Sequence, residues 1–434
     1  MRKICAKKKP VFLKISYDRY LNKINRAFKI KNSIRYNHTL YSSNIKHIIS
    51  INKWKKNSDS IVLKMPQIFS LSERYEESMV FLQNIFCVLI NDTYNLTIDY
   101  QDNQKIDLDA SICMDVLVRD FIHYNKIALK FDKSIAQRRK IQAKNFKDLN
   151  ESCRKLLYSV GIFKNLGITN MQFKDVSPFE LITGVRDSKN TGAKNEIYNT
   201  QIVDYIKQCL LKVNRKLTSK VVTQLCNVIG EALSNAEEHS TTNRFYVIGY
   251  FKINENNDEG VFNFVIFNYG DTIHQKFKLS TNQPIVDRMK ELSSKYTKWS
   301  LFRSKIFEEE NLWTLYALQQ GITSTSKYDW KKRGNGYINL IDNFFKLKGD
   351  GEKDNKSKMI LVSGHTQILF DGEYKTQEVV RGKDQEIFKA MTFNNTGNIE
   401  EKPDEEYVKF VKSFFPGTLL GAKIYITKNQ TQNI

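Results

Sequence analysis

The sequence predicts an α/β protein whose larger part is an α+β two-layer sandwich, and three observations carry that prediction. From Val221 to Ser240, the apolar residues Val221, Val222, Leu225, Val228, Ile229, Ala232, Leu233 and Ala236 recur at helical spacing in one broad stripe, the pattern of a helix packed on a sheet. Two apolar and aromatic runs follow at once, Arg244 to Ile253 and Val261 to Asn268, joined by the turn-forming ENNDEG, so a hairpin lies behind the helix. Between Ser60 and Tyr124 strand and helix patterns alternate, which implies a smaller α/β layer. The expected organisation is a basic arm over 1–58, a small α/β domain over 59–168, a linker over 169–200 and the sandwich over 201–434.

The arm is expected from charge. The chain carries 68 basic against 47 acidic residues, a net charge of +21, and its first 57 residues hold 16 Lys or Arg against the single acid Asp18. Tyr17, Tyr20, Phe28, Tyr36, Tyr41 and Trp54 are interleaved with those charges, a texture that suits stacking on bases while lysines neutralise phosphates. Lys, Asn and Ile enrichment continues along the whole chain, so compositional drift explains the arm equally well. Hydrophobic content of 41% fits a folded protein. The six cysteines are scattered without a C-x-x-C pair, which reads as reduced thiols in a cytoplasmic setting. Met79 to Ile90 is the longest apolar run and is too short to span a bilayer, so no membrane partner is expected.

Within the small domain, Ile61 to Lys64 reads as a strand, Pro66 as a break, and Met79, Leu82, Ile85, Phe86 and Leu89 as one face of a helix. Leu96 to Tyr100 is a second strand, and Asp107 or Asp109 starts a second helix. Lys126 to Asn150, with Arg138, Arg139 and Lys140, is expected as an exposed insertion, and Leu156 to Leu166 closes the domain. Asn170 to Tyr198 reads as a surface loop leading into helices Ile202 to Val213 and Ser219 to His239.

Off the apolar stripe, Glu231, Asn235 and His239 are spaced i, i+4, i+8 and line one flank of the helix. A carboxylate can orient a water or take a proton, and an amide oxygen one turn later is a hard ligand suited to Mg²⁺. The same spacing also suits a solvated polar flank. The second hairpin strand ends in FNYGDTI, with Asn268, Gly270 and Thr272. Thr272 to Lys332 forms a long excursion with helices near Pro284 to Ser294 and Asn311 to Gln320. Arg333, Gly334, Asn335 and Gly336 then precede an apolar helix, where free backbone N–H groups make a phosphate cradle to which Lys332 and Arg333 add charge. Met359 to Gly372 reads as another hairpin, and Gly417-Thr418 lies within a closing strand, Phe415 to Ile426.

EALSNAEEHS, from Glu231 to Ser240, closely resembles the N-box of the Bergerat-fold (GHKL) ATPases, which include gyrase, MutL, the histidine kinases and the anti-sigma-factor kinases. Those families carry E-x-x-x-N on the nucleotide-facing helix. The resemblance extends from about Ile202 to Thr427: Asn268 stands where the family writes an Asp that bonds the adenine amino group, R-G-N-G resembles the second glycine box, and Gly417-Thr418 resembles the last box. Asn268 and the Asp271-Thr272 pair depart from D-x-G-x-G, which leaves base selectivity open. The segment ahead resembles the STAS-like domain that precedes the ATPase module in some bacterial members. The resemblance implies ATP and Mg²⁺ as ligands, Glu231 to orient an attacking water, Asn235 to hold Mg²⁺, and Arg333, Gly334, Asn335 and Gly336 to secure phosphates beneath a lid over Thr272 to Lys332. It implies a slow ATPase that switches a protein partner or a homodimer. The alternatives are a Ser/Thr kinase of anti-sigma-factor type and a non-hydrolysing, nucleic-acid-binding, defence-related adaptor.

Overall fold

The N-terminal layer is built from β1 (Ser60–Lys64), β2 (Ile68–Phe69), α1 (Tyr75–Ile90), β3 (Asn95–Asp99), β4 (Lys105–Ile106), α2 (Leu108–Phe131), β5 (Ile141–Lys144), α3 (Glu151–Ser159) and α4 (Ile162–Asn165). The computed structural model describes residues 60–90, 95–131, 140–165, 171–185, 192–240, 244–254, 259–297, 307–322, 334–349, 356–381 and 386–434. The basic arm, Arg138, Arg139, Lys332 and Arg333 lie outside them. β1, β3 and β5 pair in parallel in that order. Parallel neighbours need a crossover, and α1 and α2 supply one each. The stretch expected as an exposed insertion therefore contributes the end of α2 and a whole strand, whose four residues are too short and too lysine-flanked to announce themselves.

The larger part comprises β6 (Val176–Val185), α5 (Ala193–Leu211), β7 (Arg215–Leu217), α6 (Ser219–His239), β8 (Arg244–Asn254), β9 (Glu259–Tyr269), α7 (Ile273–Lys278), α8 (Gln283–Thr297), α9 (Glu309–Ala317), α10 (Gly336–Lys348), β10 (Lys358–Phe370), β11 (Gln377–Arg381), β12 (Glu386–Ala390), β13 (Val408–Ile426) and β14 (Thr431–Asn433). Five strands form one antiparallel sheet in the order β10-β13-β9-β8-β6. β6 lies in the segment expected as a linker. It pairs only with β8, and an edge position is where a strand tolerates Pro178. β10 replaces the hairpin expected over Met359 to Gly372: it is one strand, bent at Gly364, whose φ of 61° sits between two register shifts against β13. The hairpin in this region is β11–β12.

Alternation along the strands divides the sheet into two faces, and both are apolar. Phe245, Val247, Phe264, Ile266, Leu361 and Leu420 face α5, α6 and α10. Tyr246, Ile248, Val265, Phe267, Ile360 and Leu419 face the N-terminal layer. Four layers result where two were expected, because the helices and sheet of the small domain pack on the large sheet. α2 lies between the small sheet and the large one; Ala110, Ile112, Cys113, Met114, Val116, Leu117 and Val118 are all buried, as in a helix covered all round. Hydrogen bonds fix the docking: Gln367 Nε2 donates to Leu71 O at 2.7 Å, Tyr75 OH donates to Ser413 O at 3.0 Å, and the Glu76 carboxylate accepts from the Lys412 and Ser413 amides. Much of the expected lid is core, since every residue from Asn311 to Ala317 in α9 is buried. Among the described residues no helix is long and apolar enough to cross a membrane.

Candidate functional site

Thr218 caps α6 by accepting from the Val221 amide, and the apolar stripe then buries Leu225, Val228, Ile229, Ala232 and Leu233 against the sheet. The polar flank meets α10, which runs alongside in the opposite direction. Asn227 Nδ2 donates to Asn343 Oδ1 at 3.3 Å, Asn339 Nδ2 donates to Glu231 Oε1 at 3.4 Å, and Gly336 sits against Asn235. Three successive turns of α6 thus match α10 as a polar zipper. A Cβ placed on Gly336 would stand 2.8 Å from Asn235 Oδ1 and 3.3 Å from Glu231 Oε2, so a glycine lets the start of α10 approach without displacing these side-chain ends. Burial raises the Glu231 carboxyl above its ordinary range; the Asn339 hydrogen bond pulls it back and Glu238 pushes it further up.

Beneath the zipper, α6, α10 and the sheet enclose a cavity of about 20 Å³ whose lining includes Asn235, Ala236, Asn268, Tyr337, Leu340 and Thr418. Asn268 and Thr418 are register partners on β9 and β13, and the Thr418 hydroxyl lies 3.1 Å from that of Ser363 on β10. The Asn235 side-chain nitrogen is buried without a hydrogen-bond partner among the described residues. Such a space holds about one water. Ligand pockets run to roughly 300 Å³ and more. Tyr337 and Leu340 line the cavity from the side of α10.

Other residues expected at the site hold the local backbone. Thr272 caps α7 in a reciprocal pair with Gln275: its hydroxyl accepts from the Gln275 amide at 3.1 Å, and its own amide donates to Gln275 Oε1 at 3.0 Å. Gly270, with φ 143°, turns the chain out of β9 and donates to Pro416 O at 3.1 Å. Gly334, with φ 90°, packs on Gly321 and Ile322, and Asn335 Oδ1 accepts from the Gly321 amide at 3.2 Å, so the loop is tied to the end of α9. Arg333 is outside the described residues, as is the His239 side chain. Sequence reasoning missed Asn339, Asn343, Tyr337 and Ser363. For the two asparagines a signal existed: polar residues one turn apart on an otherwise apolar helix, matching the spacing of Asn227 and Glu231. Among the described residues no group of three or more His, Cys, Asp or Glu side chains could hold a metal. Compared with known proteins, the chain matches no family model, no curated protein and no solved structure.

Proposed function

We propose that the chain binds ATP with Mg²⁺ at the junction of α6, α10 and strands β9 and β13, and hydrolyses it slowly. One juxtaposition carries the reading: Gly336 is seated against both Asn235 and Glu231, so the glycine segment and the E-x-x-x-N helix, about a hundred residues apart in sequence, share one contact. Asn235 Oδ1 would hold the Mg²⁺, which when bound neutralises phosphate charge. The buried Asn235 nitrogen, which has no hydrogen-bond partner among the described residues, suits a polar ligand at this point. Glu231 holds and deprotonates a water, a task favoured by the basicity that burial gives its carboxylate. Asn268 and Thr418 offer an amide and a hydroxyl to a base. Admitting that base requires Tyr337 to leave the cavity.

Thermal unfolding with millimolar ATP and Mg²⁺ tests the central claim, since a ligand held only by the folded state raises its apparent stability. No shift with ATP, ADP or a non-hydrolysable analogue sinks it. Glu231→Gln is expected to keep binding and to lower hydrolysis on the order of 10²-fold or more, whereas Asn235→Ala loses binding and turnover together. Following the γ-phosphate to water, to protein or to neither separates ATPase, kinase and adaptor.

A further inference from the structure

The opposite face of the same sheet carries a site that no motif announces. Near Gly421 the N-terminal layer stops covering the sheet: a Cβ placed on Gly421 would lie 3.7 Å from Asp109 Cβ, in the first turn of α2. Beyond that contact the sheet continues uncovered as one wall of a cleft of about 910 Å³. Register sets the wall's composition. Tyr250 on β8 pairs with Asn263 on β9, Asn263 with Lys423 on β13, and Lys423 with Lys358 on β10, so these four side chains form one row across four strands. The next row on that face brings Lys252, Val261 and Tyr425.

Every charged side chain in these two rows is a lysine. Lys252 and Lys423 have no carboxylate partner among the described residues, and the Lys423 ammonium stands over the Tyr425 ring, 5.2 Å from its centroid. Lys358 reaches Glu73 at 3.5 Å, but that carboxylate already pairs with Lys105. The Asn263 side chain makes no hydrogen bond among the described residues. Of the acids of the cleft, Glu73, Asp107 and Asp109 belong to the facing wall, where Lys105 also holds Asp107 at 3.5 Å; Asp175, at the margin of the sheet where its carbonyl accepts from the Ile253 amide, is paired with Lys155 at 2.8 Å. A flat row of lysines beside two half-buried tyrosines and a spare amide is the equipment for phosphate neutralisation, ring stacking and edge recognition together. The volume falls in the range of a nucleotide or dinucleotide.

We infer that this cleft is a second binding site, independent of the helix face, for a phosphorylated ligand with a planar ring: its phosphate on Lys358 and Lys423, its ring on Tyr425 or Tyr250, its edge at Asn263. A free nucleotide and the end of a single-stranded nucleic acid share that chemistry. The test uses the full chain in an Asn235→Ala background, so that the helix face is silent, with AMP in equilibrium dialysis and a fluorescein-labelled tetranucleotide in anisotropy. Any contribution from the basic N-terminal residues is common to all variants and cancels in their differences. Adding Lys358→Gln and Lys423→Gln is expected to weaken binding at least tenfold and, for the tetranucleotide, to reduce the slope of log affinity against log salt by about 1.4. Adding Tyr425→Ala should weaken it by roughly fivefold or more. AMP binding identifies the free nucleotide as a ligand; binding of the tetranucleotide alone identifies single strands. The inference is overturned if the lysine variant, folded by circular dichroism, binds as tightly as its parent, or if neither probe binds. ATP stabilisation of the lysine variant carrying native Asn235 reports separately on the helix face.

Discussion

The two faces of the central sheet are made by the same strands and differ in opposite ways. On the helix face lie Glu231, Asn235, Asn268 and Thr418, the side chains with recognisable chemistry, around a cavity of about 20 Å³. On the other face lie Tyr250, Asn263, Lys358 and Lys423, in no recognisable motif, along a cleft of about 910 Å³. Chemistry follows residue identity and parity along a strand, whereas space follows where the covering layers stop. α10 comes down on the helix face through Tyr337 and Leu340; α2 ends its cover at Gly421. A site needs both properties, and each face displays one more openly than the other.

The most severe way to break the comparison is to remove both faces at once. Gly417 has φ 147°, and a Cβ there would lie 2.0 Å from Asn268 O, a backbone atom that cannot move without separating β9 from β13. Gly417→Ala is expected to destabilise by more than about 4 kcal/mol, read by urea unfolding or as failure to fold. Wild-type stability in that variant would mean the strands do not approach this closely.

Next in size is an effect of pH confined to the layered face. Asp109 is pushed up to about 7, first by burial and second by the charge of Asp107, against the opposing bonds from the amides of Leu71 and Ala110 and from Ser72. A folded-state value above the unfolded one means that this carboxyl contributes stability below about pH 4, and that the contribution is lost as pH rises through about 7. At 1.36 kcal/mol per unit the upper bound is about 4 kcal/mol. Urea midpoints measured from pH 4 to pH 8 should fall across that window, and Asp109→Asn should flatten the fall whatever it does to absolute stability. An unchanged slope in the variant excludes Asp109 as the source.

The comparison sharpens at Tyr337. Tyr337→Ala enlarges the cavity on the helix face and is expected to cost about 2 kcal/mol of stability, less than a fully buried aromatic because the residue is only partly buried. ATP-dependent stabilisation should increase, since the base no longer displaces the ring, while AMP binding at the cleft stays unchanged. Loss of the ATP effect in this variant would make Tyr337 part of the binding surface.

The helix, hairpin and strand patterns that the sequence displays over long periodic runs are present in the fold: α6, β8, β9, α1 and α2 all lie where spacing puts them. The misses share a cause. β5 and β6 are a short strand and an edge strand, written with Lys, Pro and Gly because one side of each is not enclosed. β10 reads as a hairpin because Gly364 bends a strand that keeps its partner on both sides of the bend. The packing of the N-terminal unit on the large sheet was not legible because nothing local records that Ile248, Val265 and Ile360 face another layer. At the site, Glu231 and Asn235 were legible because helical periodicity sets them off the apolar stripe. Tyr337 was not, because an aromatic after a glycine reads as core until its neighbours are known, and the lysine row was not, because cross-strand register does not show in one sequence.

The smallest expected effect isolates the zipper itself. Asn339 touches Glu231 through one hydrogen bond of 3.4 Å and belongs to no motif, so it acts on chemistry only through the carboxylate it orients. Asn339→Ala removes that bond and leaves Asn235, Asn268 and Thr418 in place. ATP affinity should then hold while the hydrolysis rate falls by about tenfold, equivalent to about 1.4 kcal/mol of barrier. A second readout separates orientation from general loosening. The Asn339 bond is an influence that lowers the Glu231 proton affinity, against burial and Glu238, which raise it. Without the bond the carboxyl holds its proton to higher pH, so the acidic limb of the pH–rate profile should move upward; Asn339→Gln should restore part of it by reaching the same oxygen. A fall in rate with an unmoved limb would make Asn339 a packing residue and leave Glu231 oriented by α10 as a whole.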